Sequence, residues 1–277
     1  MDKLIAPAKI NLFLEILSKD DRGFHNINSI FTHIDLSDEI MINESDKLDI
    51  IFSGQFSNLI DHNNIESLFS FLIKKKLIRS DKYSINISKN IPVGAGLGGG
   101  SSNIAAILNF LKSKESIEED EIINAARELG SDIEFFLERR PAIVIQKGSI
   151  FRRIEYFKST HLLLVYPNFV LSTKEVYKKN NHFKLNSNFS MKDNQYDLDD
   201  ILKTSTNMLE ESAIELCPDI EIIINELSSF DGSTYPRITG SGSCCFAVFE
   251  EKEKAIKAMN VLKNNHSDWW ICLSRII

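Results

Sequence analysis

The chain has 277 residues, 43% hydrophobic and 26% charged, an ordinary balance for a globular protein with one large core or two moderate ones. A formal net charge of −7 excludes the basic face that a nucleic-acid polymer requires, while a local cationic pocket for phosphates stays open. No apolar run reaches the ~18 residues of a spanning helix, and Lys9 and Asn11 interrupt the N-terminal segment too early for a signal peptide, so a cytoplasmic protein without membrane association is expected.

In chain order, Leu48, Ile50 and Phe52 alternate as a strand would, and Ile65, Leu68, Phe69, Leu72 and Ile73 follow helical spacing. Tyr83, Ile85 and Ile87 alternate again. They lead into the stretch 90–103, where five glycines and two serines separate that strand from a helix with Ile104, Ile107, Leu108 and Leu111 at i, i+3, i+4 and i+7. A serine N-cap is expected for this helix. The next helix, through Ile122, Ile123, Ala126 and Leu129, is expected to stop at Gly130 as its C′ residue, setting Asp132 on the connection just beyond. After the strand-like stretch 142–145, charge gathers at Arg152 and Arg153, and the stretch 162–165 begins a new core strand. A boundary near Glu155 therefore divides the chain into domains 1–155 and 156–277. From Lys178 to Asp199 the chain is rich in Asn, Lys, Ser and Asp, which reads as a mobile surface loop with solvated lysines. Helical spacing resumes at Leu198, Ile201 and Leu202, at Ile220, Ile223, Ile224 and Leu227, and at Ala255, Ala258, Met259 and Leu262. Alternation at Cys244, Phe246 and Val248, and at Trp270, Cys272 and Ser274, completes a small sheet covered by helices. Cys217, Cys244, Cys245 and Cys272 form no C-x-x-C pair and read as reduced core thiols.

The glycine run is the most informative segment. Glycine lets backbone approach an anion closely, and the first amides of the following helix lack intrahelical acceptors and point outward with the positive end of the helix dipole. Together with the Ser101 and Ser102 hydroxyls they suit a polyphosphate. The dinucleotide fingerprint G-x-G-x-x-G is present at Gly94, Gly96 and Gly99, so an oxidoreductase stands as an alternative, although the acidic residues about 20 positions on, Glu118 to Glu121, lie in a stretch opening a helix. Ser101 follows the last glycine where a Walker A loop needs a Lys-Ser/Thr pair. A non-catalytic anion-binding module would also explain the loop alone.

Pro92-Val93-Gly94-Ala95-Gly96-Leu97-Gly98-Gly99-Gly100-Ser101-Ser102 resembles the second motif of the GHMP kinase superfamily, small-molecule kinases. Ala6-Pro7-Ala8-Lys9-Ile10-Asn11-Leu12 resembles the first motif and Thr239-Gly240-Ser241-Gly242-Ser243 the third, so motif order and spacing match along nearly the whole chain. The resemblance implies an α+β, two-domain GHMP kinase fold, with an N-terminal domain like the second domain of ribosomal protein S5 and a C-terminal ferredoxin-like α/β sandwich. Asp21-Arg22-Gly23-Phe24-His25 and Gly130-Ser131-Asp132-Ile133-Glu134-Phe135-Phe136 narrow it to the branch whose acceptor carries a cytosine ring. The implied reaction is ATP-dependent phosphorylation of the 2-hydroxyl of a cytidine-diphosphate-linked methylerythritol in non-mevalonate isoprenoid synthesis. Another GHMP kinase with a different small alcohol is the neighbouring alternative.

The same resemblance assigns roles. Asp132 takes the proton of the acceptor hydroxyl and Lys9 neutralises charge between that hydroxyl and the γ-phosphate. Pro92, Gly94, Gly96, Leu97, Gly98, Gly99, Gly100, Ser101 and Ser102 cradle ATP, with Mg2+ neutralising the phosphates, Ser102 in its shell and no dedicated metal cage. Lys89 lies beside adenine, and Gly240, Ser241 and Gly242 close from the opposite side. Phe24 offers a face to cytosine and His25 bonds its polar edge, while Asn11, Thr173 and Tyr177 complete the acceptor site. A monomer or weak homodimer is expected. Three residues depart from the family pattern: Glu134, expected to add negative charge beside the site, Met208 in Asn207-Met208-Leu209-Glu210, and Phe24 in place of tyrosine.

Overall fold

The computed structural model describes residues 1–21, 23–60, 64–184 and 197–277. In chain order its elements are β1 (Asp2–Lys19), β2 (His25–Glu44), β3 (Asp49–Ser53), α1 (Asn64–Lys74), β4 (Tyr83–Ser88), α2 (Gly99–Glu115), α3 (Glu119–Leu129), α4 (Ile133–Phe136), β5 (Ala142–Gln146), β6 (Ser149–Arg153), β7 (His161–Tyr166), α5 (Thr173–Lys179), α6 (Leu198–Thr204), α7 (Glu210–Leu216), α8 (Asp219–Ser229), β8 (Ser233–Ile238), β9 (Cys245–Phe249), α9 (Lys252–Asn265) and β10 (Trp270–Arg275). They group into two compact units that interleave in sequence. The first comprises Met1–Ala8, Leu36–Val93 and Gly98–Arg139; the second comprises Lys9–Asp35, Gly94–Leu97 and Arg140–Ile277.

In the first unit β4 pairs antiparallel with the C-terminal part of β2, Tyr83 to Ser88 against Glu44 to Glu39, and parallel with β3. Tyr83, Ile85 and Ile87 are buried and Asn86 is exposed, the expected alternation of a half-buried strand. Helix α2 packs on α1, α3 and α4. Its Ile104, Ile107, Leu108 and Leu111 are buried as their spacing predicts, as are Ile65, Leu68, Phe69 and Leu72 of α1, whereas Ile73 faces solvent. Two expected helix ends differ. The N-cap of α2 is Gly98 with φ of 72° and no side-chain cap, so Ser101 and Ser102 lie within the first turn and the Ser102 amide donates to the Gly98 carbonyl at 2.9 Å. A left-handed residue there admits glycine far more readily than serine. Gly130 after α3 has φ of 171°, extended backbone that any residue adopts, so α3 ends without a left-handed cap.

In the second unit the N-terminal part of β2 pairs antiparallel with β5, Ile27 to Phe31 against Gln146 to Ala142, and β5 pairs antiparallel with β6, which carries Arg152 and Arg153. A separate antiparallel sheet runs in the order β10-β7-β9-β8, with α8 against β8 and β9 and α9 against β7 and β10. This is the small helix-covered sheet that the sequence predicts. Strand β9 is buried on both faces from Cys245 to Phe249, so the alternation at Cys244, Phe246 and Val248 marks no solvent side. Cys217, Cys244 and Cys245 are buried, Cys272 half-buried, and all four are free thiols. Strand β1 was not legible as a strand because its residues Ala6 to Ile16 are all buried and show no alternation. Of the stretch 178–199, Lys178 and Lys179 end α5, Leu198 and Asp199 open α6, and residues 185–196 lie outside those described. Among the described residues no helix is long and apolar enough to cross a membrane.

Candidate active site

Strand β1 places Lys9 and Asn11, two residues apart, on one side of the strand within the second unit, both buried. A buried ammonium is costly unless hydrogen-bonded, and here Lys9 Nζ donates to Asn11 Oδ1 at 2.6 Å and sits 4.7 Å from the centre of the Phe31 ring. Asn11 is fixed in turn: its Nδ2 donates to Ser29 Oγ at 3.0 Å and its backbone amide to Thr239 Oγ1 at 2.9 Å. The Lys9 amide donates to the Leu97 carbonyl at 3.0 Å. Gly240 fills the remaining space, since a Cβ there would lie 3.2 Å from Gly96 O and 3.3 Å from both Asn11 Oδ1 and Lys9 Nζ. Gly96, at φ of 77°, has no room for a side chain against the Thr239 carbonyl oxygen. Segments from all three motifs therefore meet at Lys9, 228 residues separating Asn11 from its partner Thr239.

A shell that sequence reasoning missed holds this cluster. Asn207 Nδ2 donates to the carbonyls of Ile238 and Gly240 at 3.1 and 2.8 Å. Buried Arg237 donates to the carbonyls of Leu12, Ser205 and Leu202 at 3.1, 2.9 and 2.6 Å. Burial lowers its pKa to about 10, against the opposing pull of Glu210 and Tyr235. Burial also raises the Glu210 carboxyl, against a bond from the Ile238 amide and the charge of Arg237. Met208 departs from the family aspartate without loss of contact: its amide donates to Leu14 O at 2.8 Å and its Sδ accepts from the Ile16 amide at 3.3 Å. A buried polar side chain held by distant backbone carbonyls carries no periodic signal, which is why Arg237 could not be picked out from the chain, and Asn207 was met only as part of the segment around Met208.

The proposed base-binding residues lie in the same unit. Phe24 is 55% exposed with Lys147 Nζ 4.5 Å from its ring centre. The His25 ring lies 5.0 Å from Tyr177 at 41° and is stacked with Phe183 at 6.2 Å and 10°, a partner that sequence reasoning missed. His25 Nε2 is buried with no hydrogen-bond partner among the described residues. Burial, aided by the charge of Lys19 and opposed by Asp20, holds the imidazole below its ordinary pKa of 6.5. Thr173 Oγ1 is 2.9 Å from Ser241 Oγ, which joins Thr173 to the third motif rather than to the His25 ring. Arg22 lies outside the described residues.

The first unit carries the helix terminus and the carboxylate. Ser102 Oγ, in the first turn of α2, is buried with no hydrogen-bond partner among the described residues, an oxygen that fits a phosphate or the shell of a cation bound to it. A Cβ at Gly99 would lie 3.0 Å from Ile91 Cγ2 and 3.4 Å from Lys89 Nζ, so the loop is packed to the backbone. A Cβ at Gly100 would make only an ordinary contact, with Asn64 Nδ2 at 3.8 Å. Pro92 is buried; in the second unit Leu97 is buried as well and Gly94 leaves no space beside Val170, 2.5 Å from a Cβ. Lys89, which a strand end would ordinarily leave solvated, is 3% exposed and is ion-paired with Asp38 and bonded to Asn103 Oδ1 at 2.9 Å. Asp132 precedes α4 without capping it, and Ser131 Oγ lies 3.3 Å from its Oδ1. Glu134 adds no uncompensated charge: Arg127 holds it through two bonds of 2.7 and 2.8 Å. Among the described residues no three His, Cys, Asp or Glu side chains are grouped to hold a metal. The dinucleotide alternative fails on topology, because α2 leads into α3 and not into a second strand parallel to β4.

Comparisons with known proteins agree. Residues 63–137 match the GHMP kinases N terminal domain and residues 191–268 the GHMP kinases C terminal. The 4-diphosphocytidyl-2-C-methyl-D-erythritol kinase of Anaplasma phagocytophilum (strain HZ) is 36% identical over 98% of this chain and 93% of its own. That of Pelagibacter ubique (strain HTCC1062) is 34% identical over 99% of each. A crystal structure of 4-(cytidine 5'-diphospho)-2C-methyl-D-erythritol kinase, 24% identical, has the same fold with a TM-score of 0.77 over 99% of both chains. The Methanococcus jannaschii mevalonate kinase, 17% identical, follows at 0.67 over 100% of this chain and 98% of its own. With two family domains in order and relatives above 30% identity along nearly their whole length, the chain belongs to the GHMP kinases, within their 4-diphosphocytidyl-2-C-methyl-D-erythritol kinase family.

Proposed function

We propose that the protein transfers the γ-phosphoryl group of ATP to the 2-hydroxyl of 4-diphosphocytidyl-2-C-methyl-D-erythritol, a step of non-mevalonate isoprenoid synthesis. The observation that carries this reading is the meeting of Lys9, Asn11, Gly96, Thr239 and Gly240, which sets a buried ammonium among glycine turns. Phosphoryl transfer needs in-line positioning, neutralisation of the moving group and an acceptor for the hydroxyl proton. Lys9 supplies the fixed positive charge, with one of its three donors committed to Asn11. The amides of Gly98 to Ser101 hold the phosphates at the positive end of α2. Asp132 accepts the proton of the 2-hydroxyl and orients that oxygen toward phosphorus. Mg2+, arriving with the nucleotide, supplies charge neutralisation between the phosphates, and the Ser102 hydroxyl fits its shell. Phe24 stacks on cytosine and neutral His25 bonds its polar edge through the buried Nε2, with Tyr177 against the imidazole. Gly240, Ser241 and Gly242, with Thr173 on Ser241, close over the phosphates. We place the enzyme in the cytoplasm as a monomer or weak homodimer, without nucleic acid as partner, and take residues 1–155 and 156–277 as its sequence domains.

The test is an acceptor screen followed by phosphorus NMR. ADP should form only with the cytidine-linked alcohol present, and a new phosphomonoester should appear on its 2-oxygen. Equal turnover of mevalonate, homoserine or galactose, or binding of nicotinamide dinucleotide in place of ATP, would overturn the reading.

A further inference from the structure

We propose that Asp38 is a positioning residue for nucleotide, tying both flanks of the glycine-rich loop into one buried knot. This rests on the kinase reading above. Asp38 is wholly buried on β2, in a stretch that carries none of the motifs. Its Oδ1 accepts from the amides of Asn90 and Ile91 at 2.7 and 2.9 Å. Its Oδ2 accepts from Lys89 Nζ and, at 3.0 Å, from Asn103 Nδ2. Asn103 closes the ring by accepting from Lys89 Nζ at 2.9 Å. One carboxylate thus serves four donors, three from the chain entering the glycine run and one from the first turns of the helix that leaves it. Lys89 is anchored through its backbone as well, its amide donating to Ser53 O at 2.7 Å and its carbonyl accepting from the Phe56 amide at 3.3 Å.

The physical case for positioning is the cost of this arrangement. A buried ion pair seldom adds stability over apolar packing of the same volume, and its best-attested use is to select one conformation. Here the conformation selected is that of the α2 N-terminus, where Gly99 leaves no slack: a Cβ there would lie 3.0 Å from Ile91 Cγ2 and 3.4 Å from Lys89 Nζ. Amides that cradle phosphates hold them well only if they are already aimed before nucleotide arrives, since ordering them on binding would subtract from affinity. Asn103 is the residue whose amide can donate to Asp38 and accept from Lys89 at once; a carboxylate there would face Asp38 with like charge.

Asn103→Ala cuts the helix from the knot and leaves the Asp38–Lys89 pair intact, whereas Asp38→Asn with Lys89→Gln replaces the whole knot without stranding a buried charge. In both variants the KM for ATP should rise about tenfold while the KM for the acceptor stays within twofold. Calorimetric binding of a non-hydrolysable ATP analogue should weaken by the same factor, and the melting temperature should remain well above the assay temperature. An unchanged ATP KM in an Asn103→Ala protein of lowered melting temperature would make the knot merely structural and overturn the proposal. So would an equal rise in both KM values, or a fall in kcat alone. If the parent protein binds the analogue but phosphorylates no acceptor, the kinase reading falls, and the positioning proposal is judged by the analogue's affinity in the two variants. If the parent binds no analogue, both fall.

Discussion

Truncating Asp132 to alanine should lower kcat by about 10²–10⁴-fold with a melting temperature close to that of the parent, because the carboxylate makes no capping bond to α4. Near-normal turnover in that variant removes Asp132 from the mechanism. His25 sets a second expectation. Its imidazole is held below pKa 6.5 by burial, with Lys19 aiding and Asp20 opposing, so it is neutral at pH 7.5. The KM for the acceptor should therefore be flat between about pH 7 and 8.5 and rise only on acidification below about 6.5, as the ring gains a proton. His25→Ala should raise that KM by about tenfold, the worth of one good hydrogen bond, and leave the KM for ATP in place; a parallel rise for ATP would count against a cytosine contact. Lys9, Asn11 and His25 were each legible as members of a motif, but their burial was not. Arg237 and Asp38 gave no local signal, since a residue whose partners lie far along the chain leaves no spacing to read.

Among the elements, the glycine-rich loop separates positions where glycine is required from positions where it is tolerated. Gly96 has φ of 77°, and any Cβ would overlap the Thr239 carbonyl, so Gly96→Ala should destabilise by about 1–3 kcal/mol and loosen the third motif. Gly100 is within α2 with nothing closer than Asn64 at 3.8 Å, so Gly100→Ala should be neutral or stabilising by about 0.5–1 kcal/mol. Thermal melts of the two variants, run beside ATP titrations, check the contrast; equal losses would mean that the loop conformation in solution differs. Helices α1, α2, α3, α8 and α9 were legible because one face of each meets a sheet or helix and the other meets water. Helices α4, α5 and α7 were not, being one or two turns long and too short to show a period. The end of α2 was misread because serine is the commoner cap, whereas this turn bends through a left-handed residue that favours glycine.

For the whole molecule, the four thiols report global opening. Cys244 and Cys245 are wholly buried, burial pushing both thiols well above the ordinary range, and burial with the charge of Asp35 raises Cys272 to about 11. A disulfide-exchange reagent at pH 8 should leave Cys217, Cys244 and Cys245 unmodified in the native protein and titrate all four cysteines in denaturant; rapid native labelling of the three would contradict the described core. A single cut near Glu155 is the simplest division a linear reading can make, yet the compact units interleave, because the long strands β1 and β2 each give residues to both. By itself the sequence determined the glycine loop between strand and helix and the helix-covered sheet near the C-terminus, since these rest on spacing within a few residues; the chemistry expected of Lys9 and Asp132 rests instead on the resemblance of their motifs to the family's. Only the tertiary structure decided that Lys9 is buried against Asn11 and Gly240, and that Asp38, Lys89 and Asn103 form one knot. Apart from Lys9 and Asn11, two positions apart, those contacts join residues from 14 to more than 200 positions apart, and a distance through space between them is set by packing, which no local pattern encodes.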